Sequence, residues 1–368
     1  MKVLIVGAGP AGLSFATLLA QSNPSHDITV LERNPAGEDP GWGVTLRNYA
    51  LSFVGLDKKL SLQVLKGRAC WYRGELAVDL PYPPTDGLAT ISRTALQKTL
   101  VECCVDVGVR ISFDTDGSRL SASDLAAYDL VVAADGRNSP IRQLHAEVFR
   151  PEITQGRNHY SWLAVEKPFD TLTILLEDGD LPMLAWAYKY TETLSTFVVE
   201  TTGKTAEGSL SQLSPSDACK AIGKAFERVL GGARILCPPT IRWQPFPTIA
   251  CERLQHGNIA LIGDAAHTTH FSQGFGTMFA FDDALALHAA LTETASVEQG
   301  LARYEAVQRP KIANLQELAS ASMRWSEATV DALALRDEAR VGAQIEARWP
   351  NNAMPPAPMD SYSTPPAP

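Results

Sequence analysis

The chain has 368 residues, a formal net charge of −9, 45% hydrophobic and 20% charged residues. That length and balance suit one large soluble domain, or two closely joined ones, with a substantial core. The acidic surface and the absence of any basic run argue against nucleic acid as the partner, because phosphate contacts need a basic face.

Residues 2–6 (Lys-Val-Leu-Ile-Val) predict a buried parallel strand, 10–21 a helix, and 27–31 a second strand ending at Glu32. The apolar start resembles a secretion signal. Glycines at fixed spacing interrupt it, however, and the strand at 27–31 completes a β-α-β unit that a cleaved leader would not need. Between strand and helix lies Gly7-Ala8-Gly9-Pro10-Ala11-Gly12. Gly7 allows the tight turn, Gly9 lets a pyrophosphate approach the backbone, and Gly12 lets helix and strand pack closely. The helix N-terminus then offers amide donors and a favourable dipole. Glu32, 20 residues after Gly12, is placed to accept hydrogen bonds from ribose hydroxyls. Together these features predict a dinucleotide site without choosing between FAD and NAD.

The Gly-, Pro- and acid-rich stretch 34–43 predicts a loop. Residues 92–105 predict a helix with Leu96, Leu100 and Cys103 on one face, and 109–113 and 130–134 predict strands. From 160 to 200 the pattern becomes short strand-like segments at 172–176, 184–190 and 195–200, which predicts a mostly antiparallel sheet. A helix is expected over 215–230, a return to a parallel strand at 258–262, and helices near 276–292, 297–323 and 325–346. The fold class is therefore α/β: a Rossmann-like FAD-binding domain (1–150 and 250–346), an inserted antiparallel substrate sheet (151–249) and C-terminal helices. The proline-rich segment 350–368 is expected to be a disordered tail. The six cysteines form no CxxC pair and are expected as reduced thiols in a cytoplasmic protein. No apolar run is long enough to span a membrane, and no metal site is expected.

A second motif favours FAD. Gly263-Asp264-Ala265-Ala266-His267 follows the strand at 258–262. Asp264 then stands at a strand's carboxyl end, the ligand side of an open α/β sheet, where a carboxylate can bind a ribityl hydroxyl that NAD lacks. Gly274, Gly276 and Thr277 follow at the start of a helix, whose N-terminus can stabilise negative charge on a reduced flavin. The third motif, Asp135-Gly136-Arg137-Asn138-Ser139-Pro140-Ile141-Arg142, follows the strand at 130–134.

Taken in chain order, 7–12 with Glu32, then 135–142, then 263–267, these three motifs resemble the class A flavoprotein monooxygenases of the para-hydroxybenzoate hydroxylase fold. Stretches such as Gly41-Trp42-Gly43-Val44, Gly156-Arg157-Asn158-His159-Tyr160-Ser161-Trp162 and His270-Phe271-Ser272 look like the branch containing salicylyl-CoA, anthraniloyl-CoA and tryptophan-derivative hydroxylases. The resemblance covers roughly residues 1–345. It implies hydroxylation of an electron-rich aromatic ring with NAD(P)H and O₂ through a flavin C4a-hydroperoxide. FAD is the cofactor it implies, and NADH or NADPH binds transiently in a groove without its own fingerprint. Asp135 is expected near the FAD and the NAD(P)H path, and Arg93 near the FAD; Arg33 and Arg47 are candidates for the reductant groove. The substrate is expected to be small and aromatic: an aryl-CoA thioester, an indole or tryptophan derivative, or a phenol. Where most members have prolines after the Gly263–His267 stretch, this chain has His270 and Phe271. Both are expected to face the substrate as catalytic residues. Trp186, Tyr188, Tyr190 and Phe197 are candidates for a water-excluding wall, about half of them pointing elsewhere because strand residues alternate faces. The CoA-ester hydroxylases often carry a further reductase-like domain, and none is expected here. A flavoprotein that shields a reactive intermediate without oxidising it is the alternative. A halogenase is disfavoured, since no W-x-W-x-I-P pattern occurs.

Overall fold

In the computed structural model of the chain, residues 1–37, 41–46, 62–82 and 88–349 are described. The proline-rich tail and Arg47 lie outside them. Strand Lys2–Val6 is buried along four of its five residues, so it belongs at the centre of a sheet covered on both faces. It pairs in parallel with Asp27–Leu31 on one side and Leu130–Ala133 on the other. The full six-stranded order is Gln255–His256, Ile259–Leu261, Leu130–Ala133, Lys2–Val6, Asp27–Leu31, Arg110–Ser112. Helix Pro10–Ser22 makes the first crossover, and helices Arg93–Asp106 and Phe275–Thr292 pack against it. Chain order reverses between Lys2–Val6 and Leu130–Ala133, and the carboxyl ends of strands at such a switch point form the ligand crevice.

The second sheet runs Ile235–Leu236, Pro151–Val165, Ser195–Thr202, Met183–Lys189, Leu172–Glu177, Gly67–Tyr72, Glu75–Pro81, with Gln244–Cys251 paired onto Pro151–Val165. Its pairs are antiparallel except Leu172–Glu177 with Gly67–Tyr72. Residue parity sorts its side chains. Leu163, Met183, Ala185, Phe197 and Val199 pack on helix Pro215–Ala225 and Phe226. Leu184, Trp186 and Val198 face the end of helix Val297–Ala334 and helix Glu338–Arg348.

Three features differ from the sequence reading. The long strand begins at Pro151 rather than near 160. The hairpin 67–81, placed by sequence with the FAD-binding part, pairs into the second sheet. Its two-residue turn is Arg73-Gly74, with φ of 52° and 79°, the backbone of a primed hairpin turn. Arg73 carries none of the usual turn signal. Its strained backbone is held by a double contact to Asp178, Nε to Oδ1 at 2.8 Å and Nη2 to Oδ2 at 2.6 Å. Finally, the helices expected at 297–323 and 325–346 are one helix of 38 residues, Val297–Ala334, and a shorter one at Glu338–Arg348. Nothing in Met323-Arg324-Trp325 breaks a helix, and the chain turns only at Arg336, φ 53°.

Candidate active site

The glycines of the first turn do different work. Gly7 has φ +106°, and a Cβ there would lie 2.2 Å from the Ala134 carbonyl oxygen. At Gly12 a Cβ would meet the Gly7 carbonyl at 2.2 Å. Both positions serve packing. A Cβ on Gly9 would meet nothing within 4 Å, and Gly9, Pro10 and Ala11 border an open cleft. The first turn of helix Pro10–Ser22 thus presents backbone amides that lack intrahelical partners to a cradle free of protein atoms. Glu32 braces this turn: its carboxylate accepts from the Ala8 amide and the Asn34 amide, each at 2.9 Å. Arg33 is exposed and does not border the cleft.

Asp264 stands on a short turn, Gly263–Ala265, directly after strand Ile259–Leu261. Asp283, fully buried, holds that turn from beneath. It accepts from the Gly263 amide at 2.6 Å, bonds His267 Nε2 at 2.8 Å, and accepts from Gln308 Nε2 at 2.7 Å. Burial opposes charge on the His267 imidazole, but Asp283, with Asp264 and Asp282, outweighs it and raises the pKa. The Asp264 carboxyl is pushed upward by the protein packed around the cleft floor, with His267, Arg93 and Arg137 opposing. Because Asp264 is open to cleft water, that push is screened and the carboxylate remains a usable acceptor.

Arg142, buried, joins the two motifs. It donates to the Ala265 carbonyl at 2.8 Å and to the Arg137 carbonyl at 2.6 Å. Asp135 does not border the cleft. Its Oδ2 accepts from the Ile141 amide at 3.2 Å, its Oδ1 is buried without a protein partner, and burial pushes its carboxyl up. Its neighbours Gly136 and Arg137 do border the cleft, as does Arg93. Opposite, helix Phe275–Thr292 begins at Gly274, φ +68°, where a Cβ would fall 2.3 Å from Thr45 Oγ1. Gly276 has open space above it, and Gly276 and Thr277 face the cleft.

The remaining wall is aromatic. Tyr160, Trp162, Tyr188, Phe246 and Phe271 border the same cleft, whose cavity is about 360 Å³. Tyr160 and Phe271 lie 5.0 Å apart between ring centres, and Phe246 lies 5.8 Å from Phe271. Of the expected wall residues only Tyr188 is there. Phe197 has the wrong strand parity and sits in the core under helix Pro215–Ala225. Trp186 has the right parity but is covered by Trp325 and Arg348. Tyr190 lies past the strand end against Gly43. The pair His270–Phe271 is also divided. Phe271 borders the cleft, whereas His270, 3% exposed, turns away from it onto Ser272. Tyr160 and Trp162 stood in a stretch resembling one branch of the family but were not singled out for the wall; parity along Pro151–Val165 would have found them once that strand was recognised.

A larger hollow of about 590 Å³ lies against the long helix near Pro310, bordered by Cys251, Glu305 and Arg309. None of the glycines or aspartates of the three motifs borders it, so the chemistry belongs to the smaller cleft. The residues present there fit a bound FAD: an open cradle at Gly9, a carboxylate at a strand end, and a helix N-terminus at Gly276. Two buried polar atoms on cleft residues, Trp162 Nε1 and Thr269 Oγ1, have no protein partner.

Comparison with known proteins agrees with this geometry. A family model described as FAD binding domain matches residues 105–319, and one described as NAD(P)-binding Rossmann-like domain matches 5–39. The protodeoxyviolaceinate monooxygenase of Chromobacterium violaceum is 32% identical, over 97% of this chain and 96% of its own. The salicyloyl-CoA 5-hydroxylase of a Streptomyces species is 34% identical over 89% of this chain, which spans 65% of that relative's length. Among solved structures, 2-methyl-3-hydroxypyridine-5-carboxylic acid oxygenase shares the fold, with a TM-score of 0.74, 21% identity and coverage of 91% of this chain and 95% of that one.

Proposed function

The chain belongs to the class A FAD-dependent aromatic monooxygenases, and from that premise we propose that its cleft holds FAD beside an electron-rich aromatic ring and hydroxylates that ring with NAD(P)H and O₂. The observation that carries this reading is the shared cleft: Gly9, Asp264 and Gly276 on one side, Tyr160, Phe246 and Phe271 on the other. Bound FAD supplies the hydride acceptor for NAD(P)H and the activation of O₂. The chain supplies position and dryness. Amides at Gly9 and the start of helix Pro10–Ser22 receive the pyrophosphate. Asp264 accepts from a ribityl hydroxyl. The N-terminus of helix Phe275–Thr292 faces the negative charge of the reduced ring. The aromatic wall holds the substrate ring flat and excludes water that would waste the oxidant.

The substrate is an aryl-CoA thioester, an indole or tryptophan derivative, or a phenol; relatives named for the first two classes support those two. Arg137, which borders the cleft and donates to Gln244 Oε1 at 3.3 Å, lies on the side we assign to the reductant. Six free cysteines and the need for NAD(P)H support a cytoplasmic enzyme; among the described residues no helix is long and apolar enough to cross a membrane. The test is to purify the protein with FAD and screen aromatic acids, their CoA thioesters and indole derivatives for stimulated NAD(P)H oxidation. Products are then examined for one oxygen atom from labelled O₂. Stimulated oxidation with unlabelled aromatic recovered intact would sink the hydroxylase reading.

A further inference from the structure

Behind the aromatic wall lies a buried polar line that the proposed chemistry does not use. Glu200, 1% exposed, sits on the sheet face that also carries Trp186 and Val198. Its carboxylate accepts from Trp186 Nε1 at 2.7 Å, Asn158 Nδ2 at 3.1 Å and Ser326 Oγ at 2.6 Å. His270 Nε2 stands 3.9 Å from Glu200 Oε2. On the other side of the ring, His270 Nδ1 is 2.9 Å from Ser272 Oγ, whose hydroxyl donates to Ser322 Oγ at 2.8 Å. Ser322 also accepts from Arg348 Nη1 at 3.1 Å. The Arg348 guanidinium is enclosed by Trp186, Trp325 and Trp349, 5.0, 4.3 and 5.8 Å from their ring centres. The line thus runs from the second sheet, through the loop at 268–274, to the last turn of helix Glu338–Arg348.

The donors fix its direction. A guanidinium only donates, so Ser322 is an acceptor toward Arg348. Ser272 gives its proton to Ser322, which leaves a lone pair on Ser272 for an Nδ1–H of His270. A neutral ring with its proton on Nδ1 leaves Nε2 bare, and at 3.9 Å from Glu200 Oε2 it stands beyond hydrogen-bond range of that carboxylate. Charge around the ring agrees. Burial holds the imidazole neutral, lowering its pKa against the pull of Glu200 and Glu327, and Arg348 adds to the lowering. Burial likewise brings the enclosed Arg348 down to about 10, although the residue as a whole is partly exposed.

We infer that His270 is a positioning residue: locked as its Nδ1–H tautomer by Ser272, Ser322 and Arg348, it holds Phe271 against Tyr160 and Phe246 and so sets how tightly the wall closes over the reacting ring. Its ring lies 4.1 Å from Phe271 at an interplanar angle of 33° and 5.2 Å from Phe246. The C-terminal helix thereby takes part in the site without touching it. This rests on reading the cleft as the site of hydroxylation.

Two readouts separate the inference from that reading. The first is the imidazole nitrogen spectrum of the resting FAD-loaded protein. The His270 resonances belong to one tautomer with the proton on Nδ1, and Ser322→Ala turns them into a mixture. A wild-type proton on Nε2 overturns the inference whatever the enzyme does, whereas absence of any stimulating aromatic compound sinks only the functional reading. The second is product formed per NAD(P)H consumed, measured beside FAD affinity. Ser322→Ala lowers coupling about two- to tenfold, the range a single neutral hydrogen bond sets, while FAD affinity holds. His270→Leu lowers it similarly, and His270→Asn, whose amide can still donate to Ser272, recovers most of it. Unchanged coupling in folded Ser322→Ala, or FAD affinity falling in step with coupling, makes His270 a plain brace of the loop and removes it from this role.

Discussion

The cradle on one side of the cleft and the wall on the other are built by opposite means. The cradle is backbone held by short sequence. Gly7, Gly9 and Gly12 lie within six residues, and Gly263-Asp264 and Gly274–Thr277 within fifteen. Each piece sits at a strand end or a helix start, so its ligand-facing atoms are fixed by local geometry. The wall is side chains gathered from the strands containing Tyr160, Tyr188 and Phe246 and from the loop carrying Phe271. Its shape depends on sheet register and on what packs behind it. A recurring cofactor is thus met by a fixed backbone device, while the substrate is met by a surface that changes with any strand. Substitutions in the two regions should therefore fail differently: cradle variants lose FAD, wall variants keep FAD and lose coupling.

The largest effect is expected at Gly9. Its φ of −79° and ψ of 177° suit any residue, and a Cβ there meets no protein atom. Gly9→Val therefore folds but fills the cradle, and the purified protein is colourless. A full flavin spectrum in that variant would break the placement of the pyrophosphate. Asp264→Ala comes next. A hydrogen bond to a charged group is worth about 1.5–3 kcal/mol, so FAD affinity measured by fluorescence titration falls about tenfold or more.

Phe271→Ala should do neither. FAD affinity holds, while product per NAD(P)H falls several-fold and hydrogen peroxide rises as water reaches the ring. The double variant Asp264→Ala/Phe271→Ala sharpens the comparison. Independent parts give additive free energies for FAD binding, whereas an interaction above about 0.5 kcal/mol means that cradle and wall are one unit.

The same division explains what could be read from sequence. Gly9, Asp264 and Gly276 were legible because a turn needing glycine, or a carboxylate at a strand end, leaves its mark within a few adjacent residues. The aromatic wall was not, because its members are ordinary strand residues whose role depends on register. Trp186 and Tyr188 share a face, and only the covering Trp325 and Arg348, more than 130 residues away, decide that one is core and the other cleft. The hairpin at 67–81 was hidden for a related reason. Its Arg73-Gly74 turn is stabilised by Asp178, a contact no local pattern announces. Arg142 stands inside the Asp135–Arg142 motif, yet its bridge between Arg137 and Ala265 exists only when both loops are in place.

The smallest expected effect tests whether the cradle is backbone alone. Beneath Asp264 the turn rests on a buried pair, His267 and Asp283. A histidine whose pKa is raised in the folded state binds its proton more tightly there than when unfolded. Its contribution to stability is therefore full below the unfolded value near 6.5 and is lost as pH rises through the higher folded value. His267→Asn keeps a donor toward Asp283 but no titrating charge. The melting-point difference between wild type and His267→Asn, both saturated with FAD, should be larger at pH 6 than above the raised pKa. The change is a few degrees at most, since ~1 kcal/mol moves the midpoint of even a 150–250-residue protein by only about 2–4 °C. A difference that stays flat across that range would mean that folding does not raise the affinity of His267 for its proton. His267 would then support the Gly263–Ala265 turn only as a hydrogen-bonding partner of Asp283, a part that asparagine can also fill.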